Sequence, residues 1–355
     1  MSDFDKRHKA NAYKYTKKLE QHYLSFASKI AKIADNPKAK FQKSFKFSNN
    51  KQIQELVDKA LKEFNSELYN SVVANITEEW LLANTKNDAL VKATIKSAEV
   101  LNLVSGLRDH NLKALDAFIS RKVDGLNLSQ RIWNQIDAFK DELEMHLQIG
   151  IANGDSANVI SRRIRENLLE PEKLFRRVRD KNGNFLLSDN AKAFHPGQGV
   201  YRSSFKNARR LVVTETNMAY RNADHLRWQK NPTIVGFEIK LSGSHPAADI
   251  CDDLKGKYPK SFLYNGWHPH CFCYAVPIML SEKEFDKYLD SVINNRPFDP
   301  AQSENYVSEP NEGFSKWMND NEDRVKSMVE REKAPYFIQD NQKFIRKYVT
   351  ELQMM

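Results

Sequence analysis

At 355 residues with 41% hydrophobic and 28% charged positions, the chain is long enough for two or three packed units and is neither low-complexity nor fibrous. Its 55 Lys and Arg against 46 Asp and Glu give a formal charge of +9, which draws phosphate or acidic partners without specifying one. No stretch reaches the roughly 18 to 20 apolar residues of a membrane helix, the segment Met1 to Lys18 has no apolar signal-peptide core, and three cysteines cannot build a closed disulfide framework.

In chain order, Tyr15, Leu19, Tyr23, Phe26, Ile30 and Ile33 recur at steps of three and four, which predicts an amphipathic helix ended before Asn36-Pro37. Its opposite face reads as mixed in sign, so packing against the rest of the fold is favoured over a membrane surface. A short extended piece is expected around Phe45 to Phe47, then helices over about Gln52 to Phe64 and Leu68 to Leu103. Asp124-Gly125 marks a break. Ser129 is expected to cap a helix whose buried face is Ile132, Ile136, Phe139, Leu143 and Leu147. Gly154-Asp155-Ser156 starts another helix, with Arg162, Arg163 and Arg165 on one face; these either touch nucleic-acid phosphates or form a solvated face paired with local acids such as Glu166 and Glu170.

Asn182-Gly183 between Phe175-Arg176-Arg177-Val178-Arg179 and Phe185-Leu186-Leu187 is a hairpin signal. It is not a calcium loop, because the glycine is misplaced and the closing glutamate is missing. A long helix follows over residues 200 to 230, then a strand from Val235 to Leu241. Ser281 with Glu284 forms a capping box for a helix to about Ile293, and a Pro-containing linker from Arg296 to Pro310 leads to a last helical stretch over Phe314 to Val329. The expected class is α+β: predominantly helical with a small β-hairpin or sheet and a Cys/His zinc-knuckle-like element.

Every cysteine falls between residues 251 and 273. Cys251 is followed by His268-Pro269-His270-Cys271-Phe272-Cys273, with His245 and Asp249 just upstream. Zinc takes four soft or borderline donors in a tetrahedron, and thiolate with imidazole is its usual mixture. The expected ligands are Cys251, His268, Cys271 and Cys273. His245 is the first substitute, His270 is a further candidate, and Asp249 is expected to orient a histidine. An apolar thiol cluster and a disulfide from Cys251 are the alternatives. Neither the His-x-Glu with Pro-Cys-x-x-Cys of zinc deaminases nor the His-Glu-x-x-His of zincins occurs, and no phosphate loop or nucleophile elbow is present. Four protein ligands would leave no open position for water, so the metal is expected to be structural. Glu215 is the acid nearest in character to a functional one; a structural ion pair, with Arg209 close by in sequence, is its ordinary reading.

The helix opening Leu128-Ser129-Gln130-Arg131-Ile132-Trp133, the turn Gly150-Ile151-Ala152-Asn153-Gly154, Thr214-Glu215-Thr216-Asn217, Asp249-Ile250-Cys251 and His268-Pro269-x-Cys271-x-Cys273 occur in an order that resembles the Mu F-like phage head-morphogenesis (minor head protein) family, most clearly over residues 126 to 280. The sequence departs from it at His270, in a slot often filled by Asn or another polar residue. The resemblance implies a virion protein made in the host cytoplasm and placed in the capsid interior or at the portal vertex. It would act in head assembly, DNA packaging or DNA delivery, with portal and capsid or scaffold proteins as partners. Non-specific contact with double-stranded DNA is a further expectation. The expected division is an N-terminal helical region over 1–125, a minor head domain over 126–280, and a helical extension over 281–355. A DNA-binding ejection factor and a zinc-dependent hydrolase or nuclease are the alternative functions.

Overall fold

The computed structural model describes residues 1–35, 45–96, 98–104, 106–170, 178–179, 181–182, 185–186, 203–243 and 248–349. Along the chain these form α1 (Asp3–Ala31), α2 (Lys51–Thr94), α3 (Ala98–Leu103), α4 (Leu112–Ser120), α5 (Leu128–Ala152) and α6 (Ala157–Leu169). There follow β1 (Val178–Arg179), β2 (Phe185–Leu186), α7 (Ser204–Lys230), β3 (Ile234–Lys240), α8 (Ile250–Leu254), β4 (Gly256–Tyr258), β5 (Tyr274–Met279) and α9 (Glu282–Ile293). The last elements are α10 (Glu312–Asp320), α11 (Glu322–Glu330), α12 (Tyr336–Gln339) and α13 (Gln342–Ile345). The fold is predominantly helical with a small three-stranded antiparallel sheet of order β4-β3-β5. No helix among the described residues is long and apolar enough to cross a membrane.

The elements gather into two compact units built from discontinuous segments. One comprises residues 1–11, 76–118 and 214–355, the other residues 12–75 and 119–213. They do not coincide with a division in chain order at residues 125 and 280, because periodicity reports which face of a helix is buried and not which distant segment buries it.

Several local expectations change. The two helices expected between residues 52 and 103 are largely one 44-residue helix, α2. Asn65-Ser66-Glu67 contains no Gly or Pro, and Phe64, Leu68, Val72 and Ile76 keep the buried face continuous across it. Phe45 and Phe47 are buried but form no strand; a 3-10 turn, Phe47–Asn49, takes their place. Asn127, not Ser129, caps α5: its side chain accepts the Gln130 N–H at 2.9 Å while Gln130 accepts the Asn127 N–H at 2.9 Å. The last helical stretch is broken at Asn321 into α10 and α11, and α12 and α13 follow it. The hairpin, α6, α7, β3 and α9 lie where they were expected, and Ser281 donates its N–H to Glu284 at 3.0 Å.

In the unit of residues 12–75 and 119–213, Tyr23 meets the rings of Phe139, Phe64 and Phe205 at 4.9, 5.2 and 5.6 Å between centroids. The five apolar residues expected to face inward on α5 are all buried. Helices α5 and α6 form a tight hairpin at Gly150, where an added Cβ would lie 2.3 Å from the Ile160 side chain. Glu142 is buried in this unit and accepts the Ser204 N–H at 2.6 Å, at the start of α7. Burial pushes its carboxyl up to about 8, against the opposing pull of that hydrogen bond.

A carboxyl whose folded value is raised contributes stability that is full below its unfolded value and is lost as pH rises through the folded one. Wild-type protein is therefore expected to lose thermal stability from about pH 5 to about pH 9 relative to Glu142→Gln, whose amide oxygen keeps the Ser204 contact. Parallel Tm–pH curves for the two proteins would refute this.

The other unit packs an aromatic core around the sheet. Trp228, Phe237, Tyr258, Phe262, Trp267, Phe314 and Phe337 are buried there, and the three cysteines belong to the same cluster. In the sheet β3 runs antiparallel to both neighbours, with Phe237 opposite Tyr258 on β4 and Pro277 on β5.

Candidate metal centre

Two short pieces of chain bring the donors together. Asp249 caps α8 by accepting the Cys251 N–H at 2.7 Å, which sets Cys251 in the first helical turn. The second piece turns at His270, whose φ of 68° lies in the left-handed region, while the Cys271 N–H returns to the His268 carbonyl at 3.2 Å. Asn, Asp and His tolerate this conformation best among residues with a side chain, which gives a backbone reason for a polar residue in that slot. Cys271 and Cys273 therefore precede β5 instead of lying extended within it.

The three thiols are buried and unbridged, and their sulfurs lie within 4.8 Å of one another. Cys251 Sγ is 3.7 Å from Cys271 Sγ and 3.2 Å from His268 Nε2. A zinc ion with bonds of about 2.3 Å to sulfur and about 2.0 Å to nitrogen requires tetrahedral edges of about 3.8 Å between sulfurs and about 3.5 Å between sulfur and nitrogen. The Cys251–Cys271 separation matches the first edge and the Cys251–His268 separation lies within a few tenths of an ångström of the second, while His268 Nε2 converges with Cys251 and Asp249 and is not within 4.8 Å of all three sulfurs. The cluster is capable of coordinating a metal ion.

His268 Nδ1–H donates to the Pro269 carbonyl, 2.8 Å away, which leaves Nε2 as the lone-pair nitrogen. The role expected of Asp249 is changed by this. Its Oδ2 lies 3.3 Å from His268 Nε2, the nitrogen that faces Cys251, so it does not orient the ring from behind. Asp249, Cys251 and His268 form a second set of converging donors. His270 belongs to neither converging set, and its N–H donates to Thr214 Oγ1 at 3.3 Å. His245 lies outside the described residues.

Helix α7 holds the cysteine turn from behind. Arg221 is 8% exposed and donates to the carbonyls of Cys271 at 2.7 Å, Cys273 at 2.8 Å and Asn265 at 2.9 Å, with its guanidinium 4.9 Å from the centre of the Tyr264 ring. One turn earlier Asn217 donates to the Cys271 carbonyl at 2.9 Å. Gly266, at φ 99°, leaves room for the guanidinium, since an added Cβ would sit 2.4 Å from Arg221 Nη1. Hydrogen bonds from Cys251 and Cys273, aided by Arg221, hold the Cys271 thiol well below its usual range. No carboxylate among the described residues pairs with Arg221; its partners are carbonyls, an aromatic face and the thiols.

Arg221 was not singled out in the sequence, and Asn217 entered only as the last residue of the Thr214-Glu215-Thr216-Asn217 segment. The signal for Arg221 was its four-residue spacing from Asn217, which sets two carbonyl-seeking side chains on one face of α7. Glu215, the acid that was singled out, is buried at 2% exposure on the same helix, and Arg209 is half-buried. Of the three arginines on α6, Arg163 is committed to an ion pair with Asp155, Arg165 donates to Ser161 at 3.2 Å, and Arg162 is exposed.

A cavity borders Cys273, with Asp5, His8, Tyr220, Asp224 and Trp228 among its walls. Asp5, His8, Tyr220 and Asp224 are paired internally. Lys86 bridges Asp5 at 3.4 Å and Asp224, His8 meets Glu79 at 2.5 Å, and Tyr220 donates to Asp5 at 2.9 Å. These contacts read as a buried structural network, not as an unsatisfied catalytic set. Compared with known protein families, with curated proteins and with solved structures, the chain matches none.

Proposed function

We propose that the chain is a phage minor head protein, acting at the portal vertex in head assembly, DNA packaging or DNA delivery, in which a structural zinc ion clamps the cysteine turn. The observation that carries the metal is the donor set: three buried thiols whose sulfurs lie within 4.8 Å of one another, with His268 Nε2 3.2 Å from Cys251 Sγ at the edge of the cluster. Charge balance supports it. Zinc with three thiolates and one neutral imidazole carries a net charge of −1, and the buried Arg221 guanidinium supplies the compensating +1. In this reading Cys251, His268, Cys271 and Cys273 are the ligands and form a zinc-knuckle-like element. Asp249 stands beside His268 as a spare oxygen donor. Four protein ligands close the coordination sphere, so the metal supplies folding energy and loop position and the protein is not an enzyme.

The biological half of the proposal rests on the ordered motifs, from the α5 opening to the final Cys-x-Cys, and on the net charge of +9. It takes portal and capsid or scaffold proteins as partners and double-stranded DNA as a sequence-independent contact. Two measurements test it. Purified protein should retain about one zinc per chain after dialysis, and the protein should co-sediment with portal-containing procapsids. Absence from procapsids and virions alike would sink the head-protein reading. A metal-loaded protein that cleaves nucleic acid, losing cleavage but not its fold on Cys271→Ser, would replace the clamp with a hydrolase.

A further inference from the structure

Helix α1 is expected from its sequence to be mixed in sign on the face away from its apolar stripe. The structure separates the charges instead. Its exposed charged residues are one acid, Asp3, and six bases: Lys6, Arg7, Lys14, Lys17, Lys18 and Lys29. Asp5 is buried and Glu20 is half-buried, which removes the other two acids from that face. At about 100° per residue the six bases fall within an arc of about 140°, and Glu20 lies outside it.

Half of these bases are in no salt bridge among the described residues, and two of the others pair only at exposed positions. Asp3 pairs with Lys6 at 3.0 Å and Glu63 approaches Lys29 at 3.8 Å, both at exposed positions where such pairs are weak. No salt bridge ties Arg7, Lys17 or Lys18 to a carboxylate among the described residues. The arginines of α6, by contrast, are partly committed: Arg163 to Asp155 and Arg165 to Ser161.

From these observations we infer that the exposed face of α1 is a binding surface for the phosphate backbone of duplex DNA, and that it, not Arg162, Arg163 and Arg165 on α6, carries the main contact. This rests on the reading of a head component that meets packaged DNA and names the surface that does so. A 29-residue helix is about 43 Å long, and its cations are spread from Lys6 to Lys29. That extent suits a linear polyanion better than a single phosphate group. A membrane surface is disfavoured because an interfacial helix needs an apolar face for the lipid. The apolar face of α1 is buried, and Tyr13 is its one large apolar side chain among the exposed hydrophobics past Met1. Compact lysine charges without bidentate geometry suit backbone contact and no base reading.

The test is fluorescence anisotropy of a labelled random-sequence duplex against the full-length protein, titrated over salt. Three proteins are compared: wild type, a triple variant Arg7→Gln, Lys17→Gln and Lys18→Gln, and a control Arg162→Gln and Arg165→Gln. Each phosphate contact contributes about −0.9 to the slope of log K against log salt. The α1 variant should therefore lose about 3 from the magnitude of that slope and bind at least about tenfold more weakly near 0.1 M salt, with the control close to wild type.

Unchanged circular dichroism and zinc content certify that the variants are folded. An α1 variant with wild-type affinity and slope, or a control that loses as much, overturns the inference. So does tighter binding of wild type to polyglutamate or to phosphatidylserine vesicles than to duplex. A wild type that binds no DNA at low salt removes this inference and the DNA contact together, and leaves zinc retention and procapsid co-sedimentation to judge the rest of the proposed function.

Discussion

Cys271→Ser is expected to release the metal and loosen the whole unit that contains it. Cys271 is 1% exposed, lies 3.7 Å from Cys251 Sγ, and shares its aromatic core with Tyr258, Phe262, Trp267 and Phe314. Structural zinc in small domains contributes roughly 10–16 kcal/mol of apparent binding free energy at neutral pH, so even a fraction of that exceeds the margin by which a domain is stable. Metal content should fall from about one zinc per chain to nearly none. Near-ultraviolet circular dichroism from the surrounding tryptophans should collapse, and chelation of wild type should reproduce the loss. His268→Ala tests the same set from its nitrogen side. A Cys271→Ser protein with unchanged zinc content and unchanged Tm would refute the clamp, and a His268→Ala protein with unchanged zinc would shift the fourth ligand to Asp249, whose Oδ2 already lies 3.3 Å from His268 Nε2.

Arg221→Met should be nearly as damaging without touching a ligand. The substitution keeps most of the volume but removes the guanidinium from the carbonyls of Asn265, Cys271 and Cys273, leaving Cys271 with Asn217 alone and Cys273 with the Tyr264 hydroxyl at 3.3 Å. Removing one partner from a buried charged network costs about 3–5 kcal/mol, which corresponds to a Tm drop of roughly 10 °C for a unit of about 200 residues. Where zinc is bound, the variant also strips the compensating charge from the thiolates, so the metal should be lost at a higher pH than in wild type. Arg221→Lys retains the charge but not the forked geometry and is expected to restore the pH of metal release more than it restores Tm. Equal Tm for wild type and Arg221→Met would refute the anchoring role.

Much of the metal-capable cluster was legible in the sequence because its donors are close along the chain. Thiols and imidazoles gathered within 23 residues, Cys251 to Cys273, mark a cluster even before its geometry is known. What could not be read there was which nitrogen faces the sulfurs and what supports the turn. Those depend on the Pro269 carbonyl behind His268, the left-handed backbone at His270, and Arg221, which lies 50 residues from Cys271 along the chain. The sign of the α1 surface was hidden for a similar reason. Asp5 and Glu20 count as negative in a sequence pattern, and only burial removes them from the exposed face.

The sequence by itself determined the helices with strong 3.6-residue periodicity, the hairpin pairing of Val178–Arg179 with Phe185–Leu186, the cap at Ser281 and the identity of the thiol cluster, because each depends on residues within a few positions of one another. Tertiary structure alone decided that residues 1–11, 76–118 and 214–355 share one core, that α2 runs unbroken through Asn65-Ser66-Glu67, and that Arg221 underpins the cysteine turn. Those are outcomes of long-range burial. A half-buried apolar stripe specifies that something must cover it, while the choice of cover is settled only when the whole chain competes for the same core.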